Sequence, residues 1–258
     1  MKKSKLTESQ IDALCHHPGY GIGSLSAQKV KQIIIGNESG IGNADSIEEF
    51  MQSHLRESKE IAEVSRAKRI NSPFLHFISR ITRALENKSG NWFAPKDQCD
   101  VYDQIVFESF YSESTHLVDI RPLPRPNESV WPYEGIDEKL YVRGFRNMKS
   151  KDEAVQNLID KKTEALRKQI LSYTNLEVII APGAAWMKRK FLENLFPGIQ
   201  FKTHTIETPI RKLTYLSSEY YIDGRKVKIV VTAFFDSKNG IGYEGLRQLF
   251  ELISENKL

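Results

Sequence analysis

Cysteine is scarce in this chain. Cys15 and Cys99 are the only two in 258 residues, and no CxxC spacing joins them. That argues against a disulfide scaffold or a zinc site and fits thiols kept reduced in the cytoplasm. Long apolar runs are missing as well. No segment offers the roughly 20 consecutive apolar residues that a membrane span needs, so no membrane partner is expected. Met1-Lys2-Lys3-Ser4-Lys5 carries charge with no apolar segment behind it and does not read as a signal peptide. Neither sign of charge dominates: the formal net charge of +4 permits a polyanion partner without requiring one. There is no internal repeat and no low-complexity segment. The expectation is a cytoplasmic, monomeric protein with one domain over residues 1–258, in which 1–29 form an N-terminal helical extension.

The richest stretch is Ile33-Ile34-Ile35-Gly36-Asn37-Glu38-Ser39-Gly40-Ile41-Gly42. It reads as a buried strand, about Val30–Gly36, that stops at a Gly-rich turn holding an amide and a carboxylate. A helix start follows, with Ser46 as N-cap and Glu49 three residues on. Such a strand–turn–helix unit sets polar groups at the carboxyl edge of a sheet, where α/β proteins bind and react. The glycine spacing is not a dinucleotide fingerprint, and no lysine follows to make a P-loop.

Further strands are expected near residues 115–121, 176–181 and 227–235, with helices between them. Thr7 and Gln10 form a capping box, and Asp223-Gly224 is a hairpin signal. Arg121-Pro122-Leu123-Pro124-Arg125-Pro126 reads as a proline-stiffened loop that cannot continue a sheet. Alternating strands and helices predict a three-layer α/β/α sandwich on a mainly parallel four-stranded core sheet.

Each candidate site residue has a plain structural reading beside the functional one. Glu38 can complement a helix dipole, and His116 or Asp119 can be a satisfied polar group near a strand end. Arg121 and Arg125 would sit on the same rim as Glu38. Lys188-Arg189-Lys190 reads as a solvated helix face behind the Pro182-Gly183 turn, where a helix N-terminus can meet an anion. Ser237-Lys238-Asn239 suits phosphate contact or is an ordinary turn. Tyr20, in Gly-Tyr-Gly, is a candidate stacking face.

Taken in order, these segments resemble the uracil-DNA glycosylase superfamily. Gly36-Asn37-Glu38-Ser39-Gly40 looks like its first catalytic motif, with Ser39 where a proline is usual. Ser72-Pro73-Phe74-Leu75 is similar to the segment that opens the next helix. Asp119-Ile120-Arg121-Pro122-Leu123-Pro124 resembles the second-strand region, and Val178–Ala185 the third strand and its helix entry. Phe235-Asp236-Ser237 stands where the family has His-Pro-Ser or Asn-Pro-Ser.

The resemblance implies a DNA glycosylase that needs no metal or organic cofactor and has DNA as its partner. Its target base must leave the stack to be reached. Glu38 would orient or deprotonate the attacking water, and Asn37 would hold it. His116, Asp119, Tyr20 and Phe74 would bind the base. Arg121, Arg125, Lys188, Ser237, Lys238 and Asn239 would grip the DNA. An Asp or His in place of the family's base-reading Asn points away from uracil, toward a modified cytosine such as a glucosylated phage base. Abasic sites in foreign DNA would then serve antiviral defence. The alternatives are a uracil or mismatch repair glycosylase, a silent nucleic-acid-binding module, or a metal-dependent hydrolase using Glu38, Asp119 and Asp236.

Overall fold

The computed structural model describes residues 3–17, 27–40, 46, 47, 49, 73–86, 91–94, 114–125, 129–208, 211–235 and 240–254. Tyr20, Cys99, Asp236, Ser237, Lys238 and Asn239 lie outside them.

The protein is α/β. In chain order the described elements are α1 (Glu8–His16), β1 (Gln32–Gly40), α2 (Pro73–Leu85), β2 (Thr115–Arg125), α3 (Glu138–Asn147), α4 (Glu153–Ser172), β3 (Val178–Pro182), α5 (Ala185–Leu195), β4 (Lys202–Glu207), β5 (Lys212–Ile222), β6 (Arg225–Thr232) and α6 (Gly242–Ser254). One six-stranded mixed sheet runs β2-β1-β3-β6-β5-β4. The pairs β1–β2, β1–β3 and β3–β6 are parallel, while β5 pairs antiparallel with both β6 and β4.

Both faces of the sheet are covered at its centre, which is why Ile33–Ile35 of β1, Val178–Ala181 of β3 and Ile229–Val231 of β6 read as unbroken apolar runs rather than alternating ones. Ile33, Ile35, Ile179 and Val231 join a core with residues of α1, α3, α4 and α5. Ile34, Ile180 and Val230 join a second core with Phe77 and Ile81 of α2 and Leu246 and Leu249 of α6. Residue periodicity of two along each strand sends neighbours to opposite cores.

Local chemistry sets the element ends. Thr7 and Gln10 cap α1 reciprocally. Ser46 Oγ accepts from the Glu49 backbone N–H at 3.0 Å. At the β5–β6 hairpin, Asp223 (φ 49°) and Gly224 (φ 77°) both take left-handed conformations, as the tightest hairpin turn demands. The N-terminal helix is no loose extension, because Leu14 and Cys15 are buried in the first core and Lys161 of α4 pairs with Glu8 and Asp12.

Two expectations need correction. First, β1 does not turn at Gly36. It continues to Gly40, with Glu38 in register with Arg121 and Gly40 with Arg125. Second, the proline-rich segment after Ile120 belongs to β2 rather than to a loop. Between those two register pairs β2 advances four residues while β1 advances two, so Pro122–Pro124 form a bulge. Tyrosines close it: the Leu123 N–H donates to Tyr141 Oη at 3.0 Å, and Tyr133 Oη donates to the Pro124 carbonyl. Prolines are tolerated because β2 is an edge strand.

Helix α3 was not expected from the sequence. Asp137 caps it, accepting from the Leu140 N–H at 2.9 Å, and its inner face is only Tyr141, Gly144 and Phe145. Gly144 is required there, since a Cβ would stand 2.6 Å from Val155.

Candidate functional site at the carboxyl edge of the sheet

Because β2, β1, β3 and β6 are mutually parallel, their carboxyl ends open on one edge. That edge collects Asn37 and Glu38 of β1, Asp119 and Arg121 of β2, the Pro182–Ala185 entry to α5, and Phe234 after β6. Asn37 is exposed. Glu38 follows it, two residues beyond Gly36.

The centre of the edge is a close approach between two strands. Gly36 is in register with Asp119, and a Cβ on Gly36 would fall 2.1 Å from Asp119 Oδ1. Only glycine lets the half-buried carboxylate lie against the β1 backbone there. Glycine at this position thus serves proximity, not a turn.

Beneath this contact β1 leaves β3. Their pairing ends at Ile34↔Ile180, and Lys188 of α5 fills the gap. It is fully buried, and its ammonium donates to the carbonyls of Ile35 at 2.7 Å and Gly36 at 2.6 Å. Burial pushes its pKa down to about 7; the Asp119 carboxylate works against that fall and the Arg121 guanidinium adds to it. A cation bridging two successive carbonyls fixes the strand where it passes into Asn37 and Glu38. The expected solvated Lys188 is therefore corrected. Helical spacing carried the signal: Lys188 shares the buried stripe of Phe191, Leu192 and Leu195.

Two other expected contacts move away from the edge. His116 is in register with Ile33 near the amino end of β2, three residues before Asp119, so about 10 Å from it along the strand. It is fully buried, and its Nδ1 lies 2.7 Å from Tyr173 Oη. Arg125 is buried and held by Glu138 at 2.8 Å, so it anchors α3 to β2 and is not an exposed phosphate ligand. Arg121 stays on the edge, with Nη2 4.0 Å from Met187 Sδ.

Phe74 does reach the rim. It stacks on Phe234 with centroids 5.5 Å apart and planes at 9°, and it packs on buried Phe235. Phe234 is 49% exposed, so the pair presents an aromatic surface to solvent beside the strand ends.

Lys188 gives a pH prediction. A lysine whose folded pKa lies below its unfolded value binds fewer protons when folded, so stability rises with pH from about 7 toward about 10.5. Cys15, raised by burial to about 11, and Tyr173, also raised, act oppositely at higher pH. The clean window is therefore pH 7 to about 8.5. There, denaturant titrations should show wild type gaining on Lys188→Met, by at most about 1.4 kcal/mol per pH unit. A difference independent of pH would mean that the buried lysine keeps an ordinary pKa.

Among the described residues no helix is long and apolar enough to cross a membrane, and no group of three or more His, Cys, Asp or Glu is placed to hold a metal ion. No protein-family model matches the chain, and no curated protein or solved structure does either.

Proposed function

We propose that this protein is a DNA glycosylase of uracil-DNA glycosylase-like architecture that hydrolyses the bond between deoxyribose and a flipped-out modified base. One observation carries the reading. Three of the segments on which the resemblance rests, Gly36–Gly40, Asp119–Pro124 and Val178–Ala185, run to the carboxyl ends of the parallel strands β1, β2 and β3, and Phe235 follows the end of β6. In that core, β2-β1-β3-β6 is the parallel part of the mixed sheet.

The chemistry follows from the parts. An oxocarbenium-like transition state calls for an anion near the sugar and a positioned water. Glu38 supplies the anion and Asn37 the water contact. Asp119 accepts a hydrogen bond from an exocyclic amine, as carboxylates do with cytosine N4. Its place against Gly36 leaves it little freedom, which favours selectivity. Phe74 and Phe234 offer a face on which a base can stack. Lys188 holds the β1 backbone that carries the catalytic pair.

The test is product identity in excess EDTA. A glycosylase releases a free base and leaves a strand that breaks only on alkali treatment. A metal-dependent hydrolase built on Glu38, Asp119 and Asp236 would be silent in EDTA and would break the strand directly without it. DNA binding with neither product would leave a binding module.

A further inference from the structure

We infer that the junction of α3 and α5 is a binding surface for a single nucleic-acid strand, centred on Trp186. The inference rests on the proposed nucleic-acid substrate and adds the surface that holds the strand beside the reacting base.

Trp186 opens α5 directly behind the β3 strand end and is 49% exposed. The Arg146 guanidinium lies over its ring at 5.2 Å from the centroid. Lys190, one turn on, reaches Asn147 Oδ1 at 3.4 Å, so the two helices are tied at this corner. Arg143, Lys149 and Lys151 extend the patch, and all of these cations are exposed. Between Val142 and Lys151 the sequence has four cations and no acid.

Among the described residues, no carboxylate pairs with Arg143, Arg146, Lys149, Lys151 or Lys190, whereas neighbouring Arg189 is tied to Glu193 at 2.7 Å. Complementing the α3 dipole accounts for Arg146, but the effect fades within the last turn, and Lys149, Lys151 and Lys190 lie outside it.

An exposed aromatic among unpaired cations matches the recognition of unpaired bases on a charged backbone. A base extruded from a duplex leaves such a strand beside it. An anionic membrane is the poorer fit. Insertion needs a broad apolar face, whereas the exposed residues just before Trp186 in the chain are the small Ala184 and Ala185, and Arg146 lies over the indole.

Location supports the assignment. Helix α3 begins at Glu138, paired with Arg125 at the end of β2, and ends against Trp186 behind β3. It therefore skirts the carboxyl edge, and a strand on the patch runs past the site holding Asp119.

The experiment is fluorescence anisotropy of the full chain with a short labelled oligothymidylate, which contains no base to excise. Trp186→Ala should weaken binding about tenfold, and Trp186→Phe should keep most of it. Arg146→Glu with Lys190→Glu should lower the slope of log affinity against log salt by more than the ~0.7 expected for each cation lost. Lys149→Glu with Lys151→Glu, at exposed positions outside the helices, repeats that test with little effect on folding.

Wild-type affinity in these variants would overturn the inference. So would binding of phosphatidylserine vesicles but not of the oligonucleotide. Loss of oligonucleotide binding in the variants, with no base released from any DNA, would uphold the patch and sink the glycosylase reading. Base release by wild type with unaltered binding in the variants would do the reverse.

Discussion

Glu38→Gln is expected to cut base release by roughly 10²–10⁴-fold while leaving the fold and DNA binding intact. The substitution keeps size and removes charge. Glutamine can neither take a proton from water nor offset positive charge developing on the sugar, so the loss should fall on the chemical step. Single-turnover release at saturating enzyme isolates that step. Glu38 stands in register with Arg121 on a strand held by Lys188, so an uncharged side chain at this position leaves the described backbone contacts in place. Near-wild-type turnover would move the chemistry to Asn37 or Asp119.

The second large effect is substrate choice. Asn can pair with both a donor and an acceptor on a base edge, whereas an ionised Asp only accepts. Asp119 therefore suits an amino group such as cytosine N4 and opposes the O4 carbonyl of uracil. A site that leaves a buried polar group unpaired rejects the wrong substrate by about 10⁴–10⁵-fold. Asp119 is half-buried, so we expect a modified cytosine, with glucosylated phage cytosine the leading case, to be released in preference to uracil by a factor below that range. Asp119→Asn should move the ratio toward uracil. The close contact with Gly36 restrains the side chain, so the exchange of one oxygen for an amide should act on recognition more than on position. Efficient excision of uracil by wild type, with nothing released from glucosylated DNA, would restore a repair role.

Much of the fold could be read from residues. Ile33–Ile35, Val178–Ala181 and Ile229–Val231 are apolar without interruption because both faces of the sheet are covered there. Capping at Thr7 and the turn at Asp223-Gly224 follow from side-chain chemistry that acts within four residues. What escaped depends on partners distant in sequence. The continuation of β1 to Gly40 is decided by β2, and the bulge at Pro122–Pro124 by Tyr133 and Tyr141. Helix α3 buries so narrow a stripe that its periodicity is faint.

The strand ends were legible in their segments, but the contacts around them were not. His116 and Asp119 are near neighbours in sequence, yet one is buried with Tyr173 and the other meets Gly36. Arg125 and Lys188 look alike as exposed cations, but one pairs with Glu138 and the other is enclosed under β1. Of the cations beside Trp186, Arg146 sits in a segment that carries no recognisable motif, and Lys190 reads in sequence as one more residue of a solvated helix face.

The most direct measurement of the central claim counts alkali-labile abasic sites after incubating the protein with glucosylated phage DNA, uracil-containing DNA, mismatched DNA and unmodified DNA. The account predicts abasic sites in the glucosylated DNA, few in the uracil DNA and none in the unmodified control. No abasic sites in any of the four, under conditions where the protein binds them, would contradict it.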